Sequence, residues 1–190
     1  MIGRGAMAVA VALGGALVLG GCSASDGDAK PAGQSTNSSQ PSLAVNAPSG
    51  YDPCTDIPQS VLDSEQLVDK ENANGDAHDV KWRGCAWVQA DGDGYAVSIR
   101  TTNLTVDVLR GKGFPDTQEL TVVGRRAITT RQFEGPHIKE ACTLNVEMKG
   151  GTLEFNVSNS ASAPRTGNLD ACQIAKTLGD KVVPTMPPTV

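Results

Sequence analysis

The sequence predicts an α+β domain: an antiparallel sheet of about six strands flanked by helices and tied by two disulfides. Three observations carry that prediction. Apolar residues alternate with polar ones in several short stretches, helical spacing recurs near both ends of the folded part, and four cysteines lie within it.

The first helix is expected over Pro58 to Asp69. Ile57, Val61, Leu62 and Val68 fall at helical spacing, and proline is well tolerated in a first turn. Asp63, Glu65 and Asp69 then become outward charges of that helix. Arg83 to Gln89 and Tyr95 to Thr101 read as a hairpin, because Tyr95, Val97 and Ile99 alternate with Ala96, Ser98 and Arg100, and Asp91-Gly92-Asp93-Gly94 supplies the turn. Thr105 to Arg110 reads as a short helix stopped by Gly111 and Gly113. Two strands follow, around Glu119 to Val123 and Arg126 to Phe133.

The C-terminal part carries the strongest pattern. Leu144, Val146 and Met148, with Leu153, Phe155 and Val157, share one face of two strands joined at Gly150-Gly151. Thr143, Asn145, Glu147, Glu154 and Asn156 share the other face, which is expected to be wet. Ala171, Ile174, Ala175, Leu178 and Val182 then recur at i, i+3, i+4, i+7 and i+11, an amphipathic helix that ends before Pro184.

Ahead of this domain the chain has a different character. Residues 1–21 have the parts of an export signal: Arg4 as the positive end, an apolar run from Ala6 to Leu19, and small residues before a cut. At about 14 residues the run is shorter than the roughly 20 that a helix needs to cross a bilayer core. Leu19-Gly20-Gly21-Cys22 reads as a lipobox, with Cys22 becoming an N-palmitoyl, S-diacylglycerol cysteine at the mature N-terminus. Two or three acyl chains anchor stably where one would not. The expected location is therefore the extracytoplasmic face of the cell membrane. Residues 22–50 comprise this cysteine and a tether rich in Ser, Gly, Pro, Ala, Asn and Asp, with Leu43 and Val45 its only larger aliphatics. Such a composition buries too little apolar surface to offset ordering, and 28 residues of random coil span roughly 25 to 35 Å. Residues 51–190 suit a single globular domain.

Charge narrows the partners. Arg4 leaves with the signal, so 15 basic residues face 21 acidic ones, a formal charge of minus 6. With only the Arg125-Arg126 pair in place of a basic stripe, no nucleic-acid partner is expected. That pair reads as a solvated turn or strand end.

Four cysteines in an exported chain favour disulfides, and four allow three pairings. Cys54 with Cys85 and Cys142 with Cys172 is the favoured set, since each joins a helix or its entry to the sheet through a loop of about 30 residues, with roughly 3 to 4 kcal/mol per bridge in the chain-entropy model. Cys142 shares parity with Leu144 and Val146 and so faces inward, while Cys85 and Trp87 share a face. A metal or redox site is disfavoured: no C-x-x-C pair is present, and His78 and His137 lie far from all four cysteines in sequence.

Tyr51-Asp52-Pro53-Cys54 before a helix, Gly84-Cys85-Ala86-Trp87, a Cys142-Thr143 strand and Cys172 in a terminal helix with a Pro-rich end together resemble the actinobacterial lipoproteins of the LprB/LprC-like domain-of-unknown-function family. The likeness covers Asp52 to about Pro188 and the lipobox. It implies an envelope lipoprotein of mycobacteria, nocardiae or relatives, with a sandwich like that of Mog1 and PsbP proteins. It implies no reaction.

No catalytic residue, cofactor or metal is assigned. G-x-S-x-G, S-x-x-K, H-E-x-x-H and P-loop patterns are absent from the sequence, and His78 and His137 sit in polar loop stretches. Asp91-Gly92-Asp93-Gly94 lacks the residues that complete a calcium loop. The expected function is a non-catalytic binding or accessory module for an envelope protein, wall component or small ligand. The alternative is a lipid or wall-sugar carrier or enzyme, which needs a pocket of several hundred cubic ångströms lined by apolar side chains.

Overall fold

A computed structural model describes residues 42–190 of the chain. The export signal, Cys22 and the tether up to residue 41 lie outside the described residues. Two short helices, α1 (Pro53–Asp56) and α2 (Gln59–Ser64), lead into β1 (Leu67–Asn72), β2 (Gly75–Ala77), β3 (Val80–Gln89) and β4 (Ala96–Thr102). Helix α3 (Val106–Arg110) follows, then β5 (Gln118–Val122), β6 (Arg125–Thr130), β7 (Ala141–Met148), β8 (Gly151–Ser158) and the long helix α4 (Ala171–Val182). The class is α+β as expected, with eight strands instead of about six. Their order is β1-β3-β4-β8-β7-β6-β5, all antiparallel, and β2 pairs with the start of β3 beyond β1.

The inner face of the sheet holds the main core. Val97, Ile99, Leu144, Val146, Leu153, Phe155 and Val157 are at most 1 % exposed, and α4 covers them with Ala171, Ile174, Ala175, Leu178 and Val182. Helix and sheet approach closely because Gly179 carries no side chain: a Cβ there would stand 2.9 Å from Leu144 Cδ2. Asp170 caps α4, its carboxylate accepting the Cys172 N–H at 2.8 Å. The bridges are Cys54–Cys85 and Cys142–Cys172, with Cα separations of 5.3 and 5.0 Å, the favoured pairing.

Three expectations are corrected. The helix starting near Pro58 stops at Ser64, and Leu67–Asn72 is a strand. Gln66 adopts a left-handed conformation (φ 55°), which turns the chain so that Leu67 is buried opposite Gln89. Val68 consequently faces outward, and Glu65 is no outward charge: its side chain is 14 % exposed, accepts the Tyr95 hydroxyl at 2.8 Å and pairs with Lys181. The strand expected to run to Phe133 ends at Thr130, because Arg131 leaves the sheet to bind Asp170 and Asp116.

The face expected to be wet is the third correction. Thr143, Asn145 and Glu154 are all under 9 % exposed. Helix α3, capped by Thr105, lies over β6 and β7, and its Val106 and Leu109 form a second cluster with Leu104 and Ile128. Leu43, one of the two aliphatics noted in the tether, packs on that cluster together with Val80 and Trp82. Its neighbour Ala44 is held through its carbonyl, which accepts from Asn103 Nδ2 at 2.7 Å. Burial on this side favours pairing of the polar side chains, although Asn145 Oδ1 has no partner among the described residues. Glu154 accepts from Trp82 Nε1 at 3.2 Å and Arg100 Nε at 3.1 Å, and the Arg100 guanidinium sits 5.5 Å from the Trp82 ring centroid. Asn145 Nδ2 donates to Thr152 Oγ1, whose hydroxyl donates to the Leu104 carbonyl.

Candidate functional site

Residues 46–54 cross the sheet end as a strap, and between this strap and the inner face of β3 opens a cleft of about 700 Å³. Its local chemistry follows from the sequence. Asp52-Pro53 starts α1, since proline suits the first helical turn and the Asp52 carboxylate accepts the Cys54 N–H at 2.9 Å. Cys54 then bonds to Cys85 on β3, so the bridge fastens the strap to the sheet at the cleft. Tyr51 anchors the strap from below: its ring is 2 % exposed and its hydroxyl lies 2.7 Å from Thr185 Oγ1. Burial pushes the Tyr51 phenol up to about 12, with the nearby Asp56 charge adding to the rise.

The opposite wall comes from the turn between β1 and β2. Asn72 Oδ1 accepts the Asn74 N–H at 3.0 Å, and Asn74 Oδ1 accepts the Gly84 N–H at 2.9 Å. Gly84 belongs to the floor, together with Arg83, Cys85 and Thr101. No larger residue fits at Gly84, because a Cβ would stand 2.2 Å from the Ile99 carbonyl oxygen on β4. Arg83 is held by one nitrogen: Nη1 donates to Asp76 Oδ1 at 2.6 Å, the Trp82 carbonyl at 2.6 Å and the Gly75 carbonyl at 3.2 Å. Arg83 and then Lys81 bond to the Asp76 carboxylate and hold it below the usual carboxylate range.

A second opening of about 600 Å³ lies on the other side of Cys54, between the α1–α2 segment and β1, lined by Ile57, Leu62, Val68 and Lys70 among others. The two openings meet at Cys54. The surface is thus a pair of open, mixed-polarity depressions around one disulfide, suited to holding a ligand through hydrogen bonds and apolar contact.

The residues weighed as functional from sequence are scattered. His78 is exposed at the turn before β3, and His137 is exposed with its Nδ1 2.6 Å from Glu140. Asp91 and Asp93 turn the β3–β4 connection, Asp91 in a left-handed conformation. Arg125 and Arg126, expected to be solvated, are engaged: Arg125 donates to the Pro187 and Val190 carbonyls, and Arg126 pairs with Asp107 and Glu147. Among the described residues no three metal-capable side chains gather, and no helix is long and apolar enough to cross a membrane. Asn72, Asn74 and Arg83 carried no functional signal in the sequence. The Asn-x-Asn pair followed by an Arg-Gly-Cys strand is the trace that a reading of the disulfide's surroundings would have met.

Fold and cleft together define a disulfide-braced α+β domain with an open cleft of mixed polarity. The chain belongs to the family described as protein of unknown function, DUF3558, whose model matches residues 17–185. No curated protein and no solved structure matches the chain.

Proposed function

We propose that the protein is an envelope lipoprotein of the actinobacterial LprB/LprC-like kind, anchored on the extracytoplasmic face of the membrane through acyl chains on Cys22. Its folded domain works as a non-catalytic module that binds an envelope protein, wall component or small ligand in the cleft between the strap and β3. The lipobox and the motif resemblance support the first statement. One observation carries the second: the cleft is walled by amides, hydroxyls, prolines, a disulfide and the Arg83 cation, and its carboxylate, Asp52, is engaged in capping α1 through the Cys54 N–H, a set that binds and orients a ligand. The alternative, a lipid or wall-sugar carrier or enzyme, asks for an apolar pocket, whereas the space under α4 is filled by Leu144, Phe155 and Leu178.

Two measurements test the proposal. Cys22→Ala should move the protein from membrane to medium or leave the precursor uncleaved, and unchanged mass with unchanged membrane retention defeats the anchor. For the module, envelope extracts are passed over the wild-type protein, a cleft variant with Asn46→Ala and Ser49→Ala, and a control with Val88→Ser on the opposite sheet face. A component kept by wild type and control but lost by the cleft variant supports the site. Equal retention by all three, or turnover of a wall or lipid substrate by the purified protein, overturns it.

A further inference from the structure

The cleft presents hydrogen-bond donors on one side, and the way its side chains are held says which ligand chemistry fits. Asn72 and Asn74 each spend their carbonyl oxygen on a backbone N–H, which fixes the amide orientation and leaves each NH2 group without a partner among the described residues. Arg83 makes its side-chain bonds through Nη1 alone, so Nε and Nη2 are unspent. Those two nitrogens form the side edge of the guanidinium, whose parallel N–H pair matches the two oxygens of a carboxylate. Asp76 and the two carbonyls all bond to Nη1.

We propose that the Nε–Nη2 edge of Arg83, with the free amides of Asn72 and Asn74, binds the carboxylate of a ligand lying in the cleft over the Cys54–Cys85 bridge. Charge separates a carboxylate from a phosphate. Arg83 is already shared with Asp76, and Asp52 lines the same cleft. One shared guanidinium offsets a monoanion and falls short of a phosphate dianion in such surroundings. The strap side supplies the acceptor Asp52 and the rings of Pro48 and Pro53, so the ligand carries donors and some apolar surface away from its carboxylate, as a short peptide end does.

This inference rests on the binding-module reading, and the test separates the two. The full-length protein, in detergent with both bridges intact, is titrated with N-acetyl-alanyl-alanine, with the same peptide as its C-terminal amide, and with inorganic phosphate at matched ionic strength. The readouts are the NMR signals of the Arg83 Nε–H and the Asn72 and Asn74 side-chain amides. The acid should shift all three saturably, the amide should bind roughly tenfold more weakly or worse, and phosphate should bind less tightly than the acid. Arg83→Lys, which keeps the charge and loses the fork, should weaken the acid by roughly tenfold. Tighter binding of phosphate, no saturable shift with the acid, or an Arg83→Lys protein that binds as wild type overturns the proposal. Equal binding of acid and amide in the cleft overturns the carboxylate assignment while leaving the binding module standing.

Discussion

Arg131 Nη2 donates to both carboxylate oxygens of Asp170, at 2.9 and 2.8 Å, across a sequence separation of 39 residues. The same Arg131 donates from Nη1 to the Ile138 and Ala141 carbonyls and from Nε to Asp116, with its side chain only 6 % exposed. Asp170 in turn caps α4 by accepting the N–H of Cys172, one half of the Cys142–Cys172 bridge. A single guanidinium therefore fixes the exit of β6, the entry of β7 and the start of the helix that closes the core.

Arg131→Ala is expected to cost about 3 to 5 kcal/mol, the range for breaking a buried pair and leaving its partners unpaired. Asp170→Asn keeps an oxygen for the cap but loses the charge, and should cost less than Arg131→Ala. Urea denaturation with unchanged m-value checks both. A loss under 1 kcal/mol for Arg131→Ala shows that the hub is replaceable.

The two bridges should differ in consequence although their loops are nearly equal, at 31 and 30 residues. Removing either pair by double substitution to alanine is expected to cost about 2 to 5 kcal/mol. Only the loss of Cys54–Cys85 should release the strap and α1, seen as faster hydrogen exchange at Thr55 and Asp56, whose amides bond to the Asp52 carbonyl. Unchanged exchange there shows that Tyr51 and its contact with Thr185 hold the strap alone.

The reach of the sequence reading follows from where burial is local. Leu144, Val146, Phe155 and the α4 stripe were legible because one period in one segment encodes one buried face. Strand β1 was not, since Asp69, Lys70 and Glu71 look like helix surface and the left-handed residue that ends α2 is Gln66, with no glycine to flag it. The outer face was misjudged because key polar residues on it are paired with groups far away in sequence: Arg100 reaches Glu154 over 54 residues and Asn103 reaches Ala44 over 59. Val80, Trp82 and Ile128 on that face were the available warning. For the cleft, the cysteine spacing pointed to the bridge, but nothing in the sequence places Asn72, Asn74 and Arg83 beside the strap.

The β5–β6 turn offers a stabilising change. Val123 and Gly124 form a two-residue hairpin loop, both left-handed with φ of 48° and 81°, and Val123 is 54 % exposed. A β-branched residue is a poor choice there, and asparagine before glycine is the preferred pair for this turn. Val123→Asn is expected to add about 1 kcal/mol, raising Tm by roughly 3 to 5 °C. A fall in Tm measured by calorimetry shows that the valine contributes packing that outweighs its strain.

Alkaline pH should unfold the domain through its buried phenols. Burial raises Tyr51 from the ordinary phenol value of about 10 to about 12, and Tyr95 is raised as well, by burial first and then by the Glu65 carboxylate that its hydroxyl bonds. Between these limits the unfolded chain has lost the Tyr51 proton while the folded chain keeps it, so stability falls as pH rises. The contribution is complete below pH 10 and declines from there to about pH 12, by ~1.4 kcal/mol per pH unit for each such group. Tyr51→Phe loses the bond to Thr185 and should cost about 1 kcal/mol at pH 8. Above pH 10 it should show about half the wild-type slope, the remainder coming from Tyr95. Urea midpoints from pH 8 to 11 at constant ionic strength decide the matter: a variant that declines as steeply as wild type places the alkaline sensitivity elsewhere.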